Sequence, residues 1–135
     1  MKKKRATTQG PRPSFLLELV LSNRCNLDCD YCSSSFLLKD GTRKVLPFAA
    51  LRRAVGLYAA ALKKNGHGGG GLVSFTGNEP LLEFPLLRRV VRYIRRAHPG
   101  MRMRLDTNGV LLDAEKASFL SRNGVRIFVS LDGCR

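Results

Sequence analysis

The chain has 135 residues, with 24 Lys and Arg against 10 Asp and Glu and a formal net charge of +14. That length holds one small domain and excludes a complete α/β barrel, which takes more than about 200 residues. The charge reads as solvated helix faces plus a basic tail; no aromatic residue is interleaved with Lys2-Lys3-Lys4-Arg5, so a base-stacking nucleic-acid surface has little support there.

Residues 1–13 are expected to be a basic disordered tail, because Pro11 and Pro13 argue against regular structure. The segment ATTQGPRPS follows the lysines where a signal peptide would carry an apolar stretch. The run FLLELVL is too short to span a membrane and contains Glu18. A cytoplasmic chain is therefore expected, and that compartment favours cluster or metal cysteines over disulfides. Ser14 to Leu21 is a continuous apolar run and predicts a strand buried on both faces, with Glu18 as the exception.

Residues 33–44 read as a polar connection. Pro47 opens a helix to about Lys64, with Phe48, Leu51, Val55, Tyr58 and Leu62 on its buried face. The glycine-rich stretch from Gly66 to Gly71 breaks it and predicts a flexible link; no G-K-[ST] follows, so it is not a phosphate loop. Leu72 to Thr76 predicts a second strand. Pro85 opens a helix to about Ala97 with Leu87, Val90, Val91 and Ile94 on its apolar stripe and Arg88, Arg92, Arg95 and Arg96 on other faces. Met101 to Thr107 predicts a third strand, Asp113 caps a third helix ending near Asn123-Gly124, and Val125 to Leu131 is a fourth strand. Strand and helix alternate, so the fold class is α/β with parallel strands and right-handed crossovers.

Cys25, Cys29 and Cys32 form a C-x3-C-x2-C run directly after the first strand. Three close thiolates hold three irons of a 4Fe-4S cluster, whereas an electron-carrier site supplies four. An open coordination position is where a metal centre acts on what it binds. The rival is structural zinc, which needs a fourth ligand; Cys134 is at the same end of the sheet, while His67 and His98 are not. Gly77-Asn78-Glu79-Pro80 follows the second strand, Thr107-Asn108-Gly109 ends the third and Ser130-Leu131-Asp132-Gly133 ends the fourth. All these clusters fall beyond the carboxyl ends of the strands, where parallel α/β sheets gather their chemistry.

The cysteine loop with Tyr31 before its last cysteine, FTGNEPLL from Phe75, LDTNGVLLD from Leu105 and VSLDG from Val129 together resemble the radical S-adenosylmethionine (radical SAM) enzymes, most closely the branch of peptide and sulfatase maturases. The resemblance covers roughly residues 14–133 and implies a partial, truncated radical SAM-type (β/α) barrel, with residues 14–135 as the N-terminal part of the core domain. It implies a 4Fe-4S cluster on Cys25, Cys29 and Cys32, and S-adenosylmethionine bound by Tyr31, Gly77, Asn78, Glu79, Pro80, Asn108 and Ser130. Asn78 departs from the family's Gly-Gly-Glu-Pro motif; asparagine tolerates left-handed backbone better than most residues.

The implied activity is reductive cleavage of S-adenosylmethionine and hydrogen abstraction by a 5′-deoxyadenosyl radical, with an external electron donor and a peptide or protein as substrate. The alternatives are an RNA or small-metabolite substrate, a non-catalytic zinc-stabilised binding module, or a truncated, inactive chain. No residue stands out as a catalytic acid or base.

Overall fold

A computed structural model describes residues 15–32, 42–68 and 70–131. The elements are β1 (Leu16–Leu19), α1 (Phe48–Lys64), β2 (Leu72–Phe75), a 3-10 turn (Pro80–Glu83), α2 (Phe84–Ala97), β3 (Arg102–Thr107), α3 (Ala114–Arg122) and β4 (Val125–Val129). All strand pairs are parallel, in the order β1-β2-β3-β4. The expected α/β class and strand–helix alternation are present. The basic tail and most of the 33–44 connection lie outside the described residues.

The helices cover one face of the sheet. Val73, Phe75, Met103 and Leu105 face them and are buried against Val55, Leu87, Val90, Val91, Ile94 and Leu120. Each such side chain contributes about 1.5–3 kcal/mol of transfer free energy. Phe84 meets Phe119 edge-on at a ring separation of 5.8 Å, tying α2 to α3.

The expectation that β1 is buried on both faces does not hold. Leu19 and Leu21 are buried, but Leu16 and Val20 are 43% and 40% exposed and Glu18 is exposed with them. Successive side chains of a strand point to opposite faces, and among the described residues the helices pack on only one face of the sheet. Glu18 therefore sits on the open face, which explains a charge inside an apolar run. After the cysteine loop the chain returns along the end of β1: Ser22 and Val45 form an antiparallel bridge and Leu46 N–H donates to Leu21 O at 2.9 Å.

Two local expectations also change. Gly71 is no free link: a Cβ there would lie 2.4 Å from Leu62 Cδ1 and 2.7 Å from the Tyr58 hydroxyl. That hydroxyl accepts from Leu72 N–H at 3.0 Å and donates to Phe15 O at 2.5 Å, and burial raises its pKa above the ordinary value. Arg95 is not a solvated arginine. Its guanidinium donates to the carbonyls of Pro99, Met101, Asn123 and Gly124, so it joins the turn after α2 to the turn after α3. Smaller differences are that Pro47 caps α1 from outside the helix and that α2 is preceded by the 3-10 turn.

Candidate cofactor site

Beyond the carboxyl ends of the strands lies a cavity of about 570 Å³, lined by Cys25, Leu27, Cys29, Tyr31, Cys32, Thr76, Gly77, Asn78, Asp106, Thr107, Asn108, Ser130 and Leu131. It brings together eight of the ten residues expected to hold the cluster or S-adenosylmethionine: the three cysteines, Tyr31, Gly77, Asn78, Asn108 and Ser130. A more apolar cavity of about 430 Å³ at the other end, between Leu62, Lys63, His98 and Met101, holds none of the motif residues. The chemistry-bearing side chains decide between the two, so the first is the candidate site.

Glu79 and Pro80 are not on the cavity wall. The Glu79 carboxylate is engaged by groups of the protein itself. Glu79 is 1% exposed, and its oxygens accept from Leu81 N–H at 2.9 Å, Asn108 N–H at 2.9 Å and the Thr107 hydroxyl at 2.8 and 3.0 Å. Donors from β3 and from the turn it caps fill the carboxylate. Glu79 is thus a strut that fixes the end of β2 against the end of β3, and Pro80 starts the buried turn behind it.

The loop Gly77-Asn78 turns through positive φ, 74° and 49°. Glycine pays nothing for that geometry and asparagine little. At Gly77 a Cβ would also lie 2.9 Å from Val20 Cγ2. Asn78 keeps the turn that a second glycine would make, and its Nδ2 donates to Ser22 O at 3.1 Å.

The start of the cysteine loop is held on several sides, by motif residues and by others that the motifs did not flag. Glu79 N–H donates to Arg24 O at 3.0 Å, and Asn108 Nδ2 donates to Asn26 Oδ1 at 2.8 Å. Asn23 pairs with Lys44 through both its backbone N–H and its side chain. Arg24 and Arg43 reach the two oxygens of the buried Glu83 at 3.2 and 3.3 Å. A lone buried carboxylate in the sequence, Glu83 on an otherwise apolar turn, was the available signal, since such a charge needs partners.

The three cysteines are free and half-buried, with Cys32 N–H donating to Cys29 O at 3.0 Å. Among the described residues, no three His, Cys, Asp or Glu side chains converge as a preformed metal site. Metal binding and ordering of the ligands are commonly coupled. The donor set fits an iron-sulfur cluster: three soft thiols on one short loop, open to a cavity that accommodates a further ligand. It fits zinc less well among the described residues. His67 packs on Phe15 at 4.6 Å and His98 lines the other cavity, while Cys134 lies outside the described residues.

The family model described as the radical SAM superfamily matches residues 19–135. The chain belongs to the radical SAM superfamily. The cofactors of this superfamily are a 4Fe-4S cluster and S-adenosylmethionine. The chain is 36% identical over 135 residues to a GTP 3',8-cyclase from Parasynechococcus marenigrum, covering 93% of this chain and 36% of that protein. It is 30% identical over 125 residues to a cysteine-type anaerobic sulfatase-maturating enzyme from Clostridium perfringens, covering 90% of this chain and 33% of that enzyme. The chain thus spans about a third of the length of these curated relatives. Among solved structures, anSMEcpe with bound AdoMet has a TM-score of 0.68 at 27% identity, covering 90% of this chain and 32% of that one. BtrN in complex with AdoMet and 2-DOIA has a TM-score of 0.65 at 23% identity, covering 87% and 46%, and supports the radical SAM fold alone. The partial barrel expected from the sequence agrees with these neighbours.

Proposed function

We propose that this chain forms the cofactor-binding part of a radical SAM enzyme that acts on a peptide or protein. The observation that carries the reading is the gathering of three thiols, Gly77, Asn78, Asn108 and Ser130 around one cavity at the end of a parallel sheet. When bound, the cluster and S-adenosylmethionine supply reductive cleavage of the sulfonium and a 5′-deoxyadenosyl radical that abstracts hydrogen.

Cys25, Cys29 and Cys32 would hold the cluster and leave one iron open. The positive-φ turn at Gly77-Asn78 brings main chain to the cavity wall, where its polar groups suit the cofactor's amino acid end. Ser130 offers a hydroxyl that both donates and accepts, suited to a ribose. Tyr31, 69% exposed, stands on the wall of the cavity and would shield the cofactor's adenine from water. Glu79 and Pro80 would act from behind the wall, by holding the turn. The electron comes from an external donor in a reducing compartment such as the cytoplasm.

A peptide or protein substrate is supported by the sulfatase-maturating relative and by a solved anSMEcpe structure with a bound Cp18Cys peptide, at 27% identity and a TM-score of 0.64. A second reading, a nucleotide or other small metabolite, is favoured by the GTP 3',8-cyclase relatives, at up to 38% identity among those compared.

The test is electron paramagnetic resonance on the protein reconstituted anaerobically with iron and sulfide, then reduced, with and without S-adenosylmethionine. The expected result is a reduced-cluster signal that changes on adding S-adenosylmethionine and is lost in Cys29→Ala. A folded protein that binds zinc and gives no iron signal would overturn the cluster.

A further inference from the structure

We propose that Arg104 and Arg126, on the open face of the sheet below the cavity, form a subsite for a carboxylate of the substrate. The inference rests on the enzyme reading above and names what this face would hold.

The strand register places Glu18, Ser74, Arg104 and Arg126 side by side across β1, β2, β3 and β4. Their neighbours in each strand face the helices, so this row lies on the uncovered face. The inside of a packed barrel is filled with Val, Ile and Leu. Here the middle of the face is charged, and a charged surface is built to be wetted or to meet a polar ligand.

Arg104 is held in place. Its Nε donates to Ser74 Oγ at 2.9 Å, its Nη2 lies 3.2 Å from Asp106 Oδ2, and its guanidinium lies 5.5 Å from the centre of the Phe128 ring. Ser74, fully buried, in turn donates to Asp106 Oδ2 at 2.9 Å. Nη1 has no partner among the described residues. The guanidinium is therefore pre-oriented with one edge open, the arrangement that suits a two-pronged carboxylate contact.

Arg126 is its direct neighbour on β4, is exposed, and has no ion pair among the described residues. Like charges opposite each other on adjacent strands are unfavourable. Asp106 offsets one of the two positive charges and leaves about one over. That remainder matches a monoanionic carboxylate better than a phosphate dianion. Arg102, one strand repeat below Arg104, and Glu18, two strands away on β1, lie on the same face with opposite signs, so together they leave that remainder unchanged. Asp106 lines the cavity and sits one strand repeat above Arg104, about 7 Å. A substrate anchored by its carboxylate at Arg104 and Arg126 would extend upward into the cavity.

The test is a titration of the full chain with sodium acetate and, separately, inorganic phosphate at constant ionic strength, reading the arginine Nε–H resonances by NMR. The expected result is saturable, parallel shifts of Arg104 and Arg126, tighter for acetate, with Arg96 on α2 responding only linearly. Arg126→Gln should weaken acetate binding about tenfold, and Arg126→Lys should restore it only in part, while Arg96→Gln leaves it unchanged. The amide spectrum checks that each variant is folded. Phosphate binding as tight as acetate would overturn the carboxylate assignment and favour a nucleotide. Shifts no different from those of Arg96 would overturn the subsite. Because the titration needs no iron, its failure is distinct from a failure of the cluster reading.

Discussion

Glu79→Gln isolates the strut that closes the site. The substitution keeps the shape of a side chain that is 1% exposed but replaces one oxygen with an amide NH2. Oε1 faces Leu81 N–H and Oε2 faces Asn108 N–H, so either orientation of the glutamine sets a donor against a backbone donor. One hydrogen bond to a charged group is lost, about 1.5–3 kcal/mol, and one buried N–H is left without a partner, about 1–3 kcal/mol. The sum is about 2.5–6 kcal/mol, a large share of the ~5–15 kcal/mol that holds a domain folded. In urea, with a slope of about 1.5 kcal/mol/M, the midpoint should fall by about 2–4 M. Thr107→Val removes the hydroxyl that touches both oxygens, and the two substitutions should couple by more than about 1 kcal/mol in a double-mutant cycle. A loss below 1 kcal/mol for Glu79→Gln, or strict additivity with Thr107→Val, would refute the strut.

Arg95→Ala removes the donors to four carbonyls and should cost about 2–4 kcal/mol, seen as a clear fall in melting temperature; the exposed Arg96→Ala should change it by less than about 0.5 kcal/mol. Gly71→Ala drives a methyl against Leu62 and Tyr58 and should cost about 1–3 kcal/mol in a denaturant titration, with no change in iron content after reconstitution. The Asp113 side chain caps α3 through Lys116 N–H and pairs with the Lys116 ammonium, and these contacts lower its pKa below the ordinary value of 3.8. A lowered carboxyl contributes stability that is present above its unfolded pKa and lost as pH falls through the folded one. Amide exchange in the first turn of α3 should therefore rise as pH drops below about 4, beyond the intrinsic pH dependence of exchange, and Asp113→Asn should flatten that extra rise.

Much of the plan was legible without coordinates. Hydrophobic period, proline at helix starts and Gly124 after the third helix gave the element order, because those signals are local: each depends on residues within a turn or two of one another. The cysteine spacing and the positions of Gly77, Asn108 and Ser130 at strand ends were legible for the same reason. A parallel sheet carries every strand end to one edge, so motifs far apart in sequence had to meet.

What the sequence by itself determined is therefore the alternation of elements, the end of the sheet where the motifs gather and the three thiols that line the cavity there. Only the tertiary structure decided which groups face the cavity and which stand behind it. Glu79 lies in a motif whose resemblance implies a cofactor contact, and the fold adds partners from another strand, the Thr107 hydroxyl and the Asn108 N–H. Arg95 and Arg104 read as two more cations in a basic chain. Their roles depend on carbonyls, a hydroxyl and a carboxylate brought beside them by the fold. Glu18 is an anomaly in an apolar run until the open face of the sheet is known. The physical reason is common to all four: a polar group's role is set by the partners it meets, and those partners are non-local.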